Sequence, residues 1–231
     1  MLQKIASNYL NKEADFKSFM RSLNNRFTTK KGKLDPNDTV HQINSKFIAE
    51  AARLRASADA QDWKKTGTLK TINKDFTNKT KCNLLIPQIH HNTMGKTYKS
   101  PFRNTQTGRW LSANDIYNLQ QVGPTYARAK FNGNYVEVPY DLAPYAHGAT
   151  IAQSGHVGMV TNNYKTTSAA TEKGLIENDW GFRKGNGAHD THVAYIMPKG
   201  IDPTPLLHAA QVRKNFDNMM SKYRPKNIFN E

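Results

Sequence analysis

The chain is short of cysteine and of long apolar runs, and each shortage excludes a class of protein. Cys82 is the one cysteine among 231 residues, so an intramolecular disulfide is excluded. Only 37% of the residues are hydrophobic, and no apolar run approaches the roughly 18 residues of a membrane-spanning helix. Residues 1–8 include a lysine that no apolar stretch follows. We therefore expect no secretory signal peptide, synthesis in the cytoplasm, and another delivery route for any role outside the cell.

Acidic residues are also scarce, because 18 Asp and Glu stand against 33 Lys and Arg, a formal net charge of +15. This excess is larger than solubility requires, and it favours a polyanionic partner such as nucleic acid, anionic lipid or bacterial wall polymer. The sequence carries neither zinc-finger spacing nor the aromatic signature of an RRM, which argues against nucleic acid.

Apolar spacing divides the chain into three parts. A stripe at intervals of three and four residues predicts a helix from Ile5 to Phe27, and turn and N-cap residues at 35–38 predict the start of a second. The apolar face of the second helix consists of Val40, Ile43, Phe47, Ala51 and Leu54. We expect a helical extension over residues 1–65, a main domain over 66–200 and a C-terminal helix over 201–231, which Pro203-Thr204-Pro205 opens.

From Asn83 onward, short apolar runs alternate with Gly, Asn and Pro clusters, which predicts an α+β domain with an antiparallel sheet. The predicted strands are Tyr135–Val138, His156–Val160, Leu175–Trp180 and Val193–Met197.

Three segments carry residues that could act together as nucleophile, base and orienter. Cys82 stands where a basic loop meets an apolar segment, and a helix N-terminus with flanking lysines would favour its thiolate. A buried, inert cysteine is the alternative. His156 opens a β-branched strand directly after a glycine. In the third segment Glu177 and Asp179 share one strand face, so that one carboxylate could fix the histidine tautomer.

The order of these segments resembles that of the papain-like superfamily of NlpC-type and CHAP amidases and peptidases, and especially of peptidoglycan-cleaving amidase toxins such as type VI secretion effectors. The matching segments are Lys81-Cys82-Asn83-Leu84, Gly155-His156-Val157-Gly158-Met159-Val160 and Glu177-Asn178-Asp179-Trp180-Gly181-Phe182-Arg183, with Pro139-Tyr140-Asp141-Leu142 before the histidine strand. The resemblance covers roughly residues 75–198.

The resemblance implies an antiparallel sheet packed on the nucleophile helix, with Cys82 as nucleophile and His156 as general base. Asp179 is the expected orienter, with Asn178 or Glu177 as alternatives. The Cys82 N–H would form part of the oxyanion hole, together with an upstream donor for which Thr77 and Asn78 are weak candidates. Pro87 lies inside the expected nucleophile helix, which we therefore predict to be bent or short.

Other histidines offer alternatives to this assignment. His192 also leads a strand pattern, but no acidic or amide residue follows it on a later strand. His90 and His91 are expected at the surface or at a helix end, and His189 with His192 offers weak zinc spacing. With one cysteine and no HExxH motif, we expect no metal and no organic cofactor.

The resulting hypothesis is a cysteine hydrolase that cleaves amide bonds in peptidoglycan stem peptides or cross-links, delivered to the periplasm or cell wall as a toxin or lysin. Secretion machinery and a cognate immunity protein would then be its partners. A basic nucleic-acid-binding module without catalysis, or a papain-like hydrolase or acyltransferase acting on protein or lipid, are the alternatives. Trp110 and Trp180 would line the substrate groove or pack in the core.

Overall fold

The computed structural model describes residues 39–67, 70–71, 74–75, 81–95, 100–104, 107–123, 133–183 and 190–221. The helix predicted at Ile5–Phe27 and the predicted cap residues at 35–38 lie outside these ranges. The described part is an α+β structure with a six-stranded antiparallel sheet. None of its helices is both long and apolar enough to cross a bilayer.

Four α-helices are described, and capping residues in the sequence explain where two of them begin. They are α1 (Val40–Ala56), α2 (Cys82–Met94), α3 (Ala113–Gln121) and α4 (Pro205–Ser221). A capping box of Thr39 and Gln42 starts α1, and one of Ser112 and Asp115 starts α3. Short 3₁₀ helices cover Ala58–Trp63 and Ala143–Tyr145.

The strands form one small and one large sheet. They are β1 (Lys70–Thr71), β2 (Lys74–Asp75), β3 (Gly133–Glu137), β4 (Thr150–Gln153), β5 (His156–Asn162), β6 (Lys165–Ala170), β7 (Gly174–Asn178) and β8 (His192–Pro198). The first two pair with each other, and the large sheet has the order β3-β8-β4-β5-β6-β7. All four predicted strands are present within a few residues, but the predicted third strand ends at Asn178, before Trp180. The prediction lacks β4 and β6 of the large sheet and both strands of the small one.

One face of the sheet packs against α1, α2 and α3. Arg55 of α1 donates to Thr167 of β6, and Tyr117 of α3 meets the His192 ring of β8 at 5.4 Å. The predicted apolar face of α1 is confirmed, since Ile43, Phe47, Ala51 and Leu54 are all buried. These residues belong to the same hydrophobic core as the buried residues of the sheet. Helix α1, which was expected in an extension, therefore packs into the main domain.

Helix α2 is 13 residues long and continues past Pro87, so the predicted shortening is not observed. His90, expected at the surface or a helix end, is buried on this helix and stacks on Phe47 with ring centroids 4.1 Å apart. Burial of the imidazole lowers its pKa to about 3. An aromatic neighbour on α1 thus holds a neutral histidine in the core.

Candidate active site

Cys82 is the first residue of α2, as the sequence predicts, and its side chain is enclosed. The residue is 4% exposed, and its Sγ lies 4.0 Å from the Gly155 carbonyl oxygen, to which the thiol donates. Burial raises the thiol pKa above its usual value, against opposing backbone hydrogen bonds from Val157, Asn83 and Cys82 itself. The N–H groups at the helix N-terminus favour the thiolate, as the sequence predicts, but desolvation of the thiol outweighs them.

Lys81 was expected to lend its charge to the neighbouring thiol, but its ammonium group has other contacts. The side chain is 2% exposed, and its Nζ donates to the carbonyl oxygens of Lys64, Lys65 and Gly67. Lys65 in turn donates its N–H to the Thr171 carbonyl at 2.8 Å. Lys81 thus ties the segment after the first 3₁₀ helix to the start of α2 and to the end of β6.

His156 begins β5 directly after a two-residue turn that joins it to β4. It pairs in register with Gln153, the last residue of that strand. Burial of the ring lowers its pKa below the usual 6.5, so the imidazole is neutral at neutral pH. The Trp180 ring meets it edge to face, with centroids 4.4 Å apart and planes at 86°. Within the described ranges, no side chain forms a hydrogen bond with the imidazole.

Cys82 and His156 line one cavity of about 70 Å³. The remaining lining residues are Trp63, Lys65, Lys81, Gly155, Ala169, Ala170 and Thr171. The fold thus brings the predicted nucleophile and base to the same cavity, although no hydrogen bond joins Sγ to the imidazole in the described structure.

The predicted orienters lie elsewhere. Asp179 pairs with Arg183, its side chain 47% exposed, and Glu177 pairs with Arg55 at 2.7 Å. The Asn178 side chain accepts the Trp180 N–H at 2.9 Å. None of the three forms a hydrogen bond or an ion pair with His156 in the described structure.

The register of the sheet explains this separation. Asn178 pairs with Thr166 of β6, which pairs with Val160 of β5. Val160 is four residues beyond His156, or roughly 13 Å along the strand at about 3.3 Å per residue. The end of β7 therefore lies beside the far end of β5, and the end of β6 lies beside His156.

Trp180 reaches the imidazole because the chain turns back across the sheet after Asn178. The Thr166 hydroxyl donates to the Trp180 carbonyl at 2.9 Å, and the Phe182 N–H donates to the Asp179 carbonyl at 3.0 Å. Gly181 has φ +87°, and a Cβ there would lie 2.5 Å from the Cδ1 of Ile151. The glycine thus permits a turn that presses against the sheet. The Trp180-Gly181 pair, at the end of the predicted third strand, was the sequence signal for this contact.

Two further features of the site were missed by sequence reasoning. The end of β6 lines the cavity with Ala169, Ala170 and Thr171, and the β-branched pair Thr166-Thr167 was the available signal for that strand. The Asn114 carboxamide oxygen accepts the Gly155 N–H at 2.6 Å, a contact between distant segments that no local pattern indicates.

Those alternative residues that the structure describes do not line this cavity. His192 begins β8 against Tyr117 and does not line it. Thr77, Asn78 and His189 lie outside the described residues. In the part of the chain that the structure describes, no three His, Cys, Asp or Glu side chains cluster as metal ligands would. Trp110 is half-buried, with the Arg103 guanidinium 5.5 Å from its ring centroid.

Comparison with known proteins adds no relative, since no family model, no curated protein and no solved structure matches the chain.

Proposed function

We propose that the protein is a cysteine hydrolase that cleaves amide bonds in peptidoglycan stem peptides or cross-links, with Cys82 as nucleophile and His156 as general base. The observation that carries the proposal is that this thiol, at a helix N-terminus, shares one cavity with this imidazole. The motif resemblance to NlpC-type and CHAP enzymes supports the reaction type. The net charge of +15 supports a substrate rich in carboxylates.

The two pKa shifts support general-base activation over a resting thiolate–imidazolium pair. A thiol with a raised pKa keeps its proton, and an imidazole with a lowered pKa is free to accept it. The S–H group points to the Gly155 carbonyl in the resting state, so it must rotate toward His156 when substrate enters. This rotation is the first step of the proposed reaction.

The remaining steps follow acyl transfer. The sulfur attacks the amide carbon as His156 takes the thiol proton, and backbone N–H groups at the start of α2 stabilise the oxyanion. The imidazolium then protonates the departing amine, which leaves a thioester on Cys82. A water molecule, deprotonated by His156, releases the carboxylic acid and restores the thiol. The neutral thiol and imidazole are thus regenerated without an external reactant other than water.

Digestion of purified sacculi, with mass spectrometry of the released muropeptides, tests this proposal. Cys82→Ala and His156→Ala should each lower the rate by at least about 100-fold, since nucleophile and base act as a unit. His192→Gln is the matched control and should retain the parental rate. The acid limb of the kcat/KM profile should have its midpoint below pH 6.5, because burial lowers the His156 pKa.

Parental rates of wall digestion by Cys82→Ala would exclude the mechanism. A Cys82-dependent reaction on protein or lipid, with intact muropeptides, would instead assign the same chemistry to a different substrate. Released wall peptides would fit a delivered antibacterial toxin, whose immunity protein would cover the cavity.

A further inference from the structure

We infer that Asn114 is a positioning residue for the Cys82–His156 site and that it acts through the backbone of Gly155. The inference rests on the proposed function for its catalytic consequence, but its structural part concerns the thiol alone. Its basis is two consecutive contacts. The Asn114 Oδ1 accepts the Gly155 N–H at 2.6 Å, and the Gly155 carbonyl accepts the Cys82 thiol with Sγ at 4.0 Å.

Asn114 is well placed to hold a backbone group because its own helix end is rigid. It is the second residue of α3, whose first turn is closed by the reciprocal bonds of Ser112 and Asp115. Ala113 and Ile116 are buried on either side, which fixes this turn against the sheet. The exposed carboxamide therefore projects from an anchored backbone.

The turn between β4 and β5 needs such support. Gly155 has φ +78° while Ser154 has no positive φ, which is the sign pattern of a type II turn. Two-residue hairpins favour types I′ and II′, because type I and II turns splay the paired strands. Types I and II differ chiefly by rotation of the central peptide, and the Gly155 N–H belongs to that peptide. By accepting this N–H, Asn114 selects one of its two orientations.

Both reacting groups depend on the position of the Gly155 backbone. The Gly155 carbonyl holds the thiol proton in the resting state, and His156 is the next residue along the chain. Without the Asn114 acceptor the Gly155 backbone loses an anchor, and a shift of this residue moves its carbonyl away from Sγ and displaces the imidazole at the start of the strand. A misplacement of about 1 Å in such a site lowers the rate by as much as about 100-fold.

Three variants test this inference. Asn114→Ala removes the acceptor, Asn114→Asp keeps an oxygen acceptor in the same place, and Asn118→Ala is a matched control at an exposed position of the same helix. The readouts are kcat and KM on sacculi-derived peptides, the rate of Cys82 alkylation by iodoacetamide at about pH 7.5, and Tm. The alkylation assay needs no substrate, so it remains informative if hydrolysis of wall peptides is absent.

We expect Asn114→Ala to lower kcat at least about 10-fold with KM changed less than about twofold. Alkylation should become at least about threefold faster as the thiol is released from the Gly155 carbonyl. Asn114→Asp should restore both rates to within about twofold, and Asn118→Ala should match the parent. Alkylation of Asn114→Ala at the parental rate, or an Asn114→Asp variant that behaves like Asn114→Ala, would overturn the inference. So would a rise in alkylation accompanied by a large fall in Tm, since that indicates general loosening.

Discussion

Replacement of Lys81 by methionine should destabilise the fold far more than replacement of an exposed lysine. Methionine keeps most of the side-chain volume but removes an ammonium group that donates to three backbone carbonyls. A hydrogen bond to a charged group contributes about 1.5–3 kcal/mol. Removal of the buried charge offsets part of this lost stability, because methionine has no ammonium group to desolvate on folding. We therefore expect a net loss of about 3 kcal/mol.

Urea and thermal unfolding measure this loss. For a chain of this length about 3 kcal/mol corresponds to a fall in Tm of roughly 6–12 °C. Lys214→Met is the matched control, since Lys214 pairs with an exposed Asp141 and such a pair contributes about 0–1 kcal/mol. A cost below about 1 kcal/mol for Lys81→Met, equal to that of the control, would refute the view that Lys81 holds the segment beside the cavity.

Two further predictions concern charge. Asp179→Ala should retain more than about half of the parental hydrolysis rate in the sacculus assay, because its carboxylate pairs with Arg183; a loss above about 10-fold would restore Asp179 as orienter. Burial lowers the pKa of His90 to about 3, and burial followed by the charge of Arg213 lowers the pKa of His147 to about 3. Between pH 6.5 and 3 the unfolded chain therefore binds protons at these histidines that the folded chain does not bind. Stability should therefore fall as the pH is lowered, by up to about 1.4 kcal/mol per pH unit for each histidine. Urea titrations at several pH values should show this slope, and His147→Gln should remove about half of it; an unchanged slope in that variant would contradict the assignment.

The parts of the fold that depend on local patterns were predictable from the sequence. The buried positions of α1 follow the spacing of three and four residues, and α4 begins at Pro205 because proline is favoured at the first helical position. His156 leads a strand whose Val157, Met159 and Val160 are fully buried. In each case the residues that determine the element lie within it.

The missed strands show where local patterns fail. Thr150–Gln153 and Lys165–Ala170 contain few large apolar residues, yet Thr150, Thr166, Thr167 and Ser168 are buried. These small polar side chains fit between closely packed layers, and their burial is set by α1, α2 and the turn after β7. Tertiary packing overrides composition there, because the neighbours that cover a strand come from distant parts of the chain.

The placement of Asp179 follows from one of these missed strands. In an antiparallel sheet each additional strand reverses the chain direction, so β5 and β7 run parallel when β6 lies between them. If β7 followed β5 directly, its end would lie beside His156, and a carboxylate at that end would reach the imidazole.

With β6 between them, the end of β7 lies at the opposite end of the sheet, and the position beside His156 is taken by Ala170 and Thr171 at the end of β6. The order of residues along the chain predicted the pairing of this thiol and this imidazole, which line one cavity, whereas the number of strands decides which third group accompanies them. In this fold that group is the Trp180 ring, which packs edge to face against the imidazole. The site is thus a thiol and an imidazole oriented by backbone and aromatic contacts, and its reactivity should respond to the Ser154–Gly155 turn more than to any carboxylate on β7.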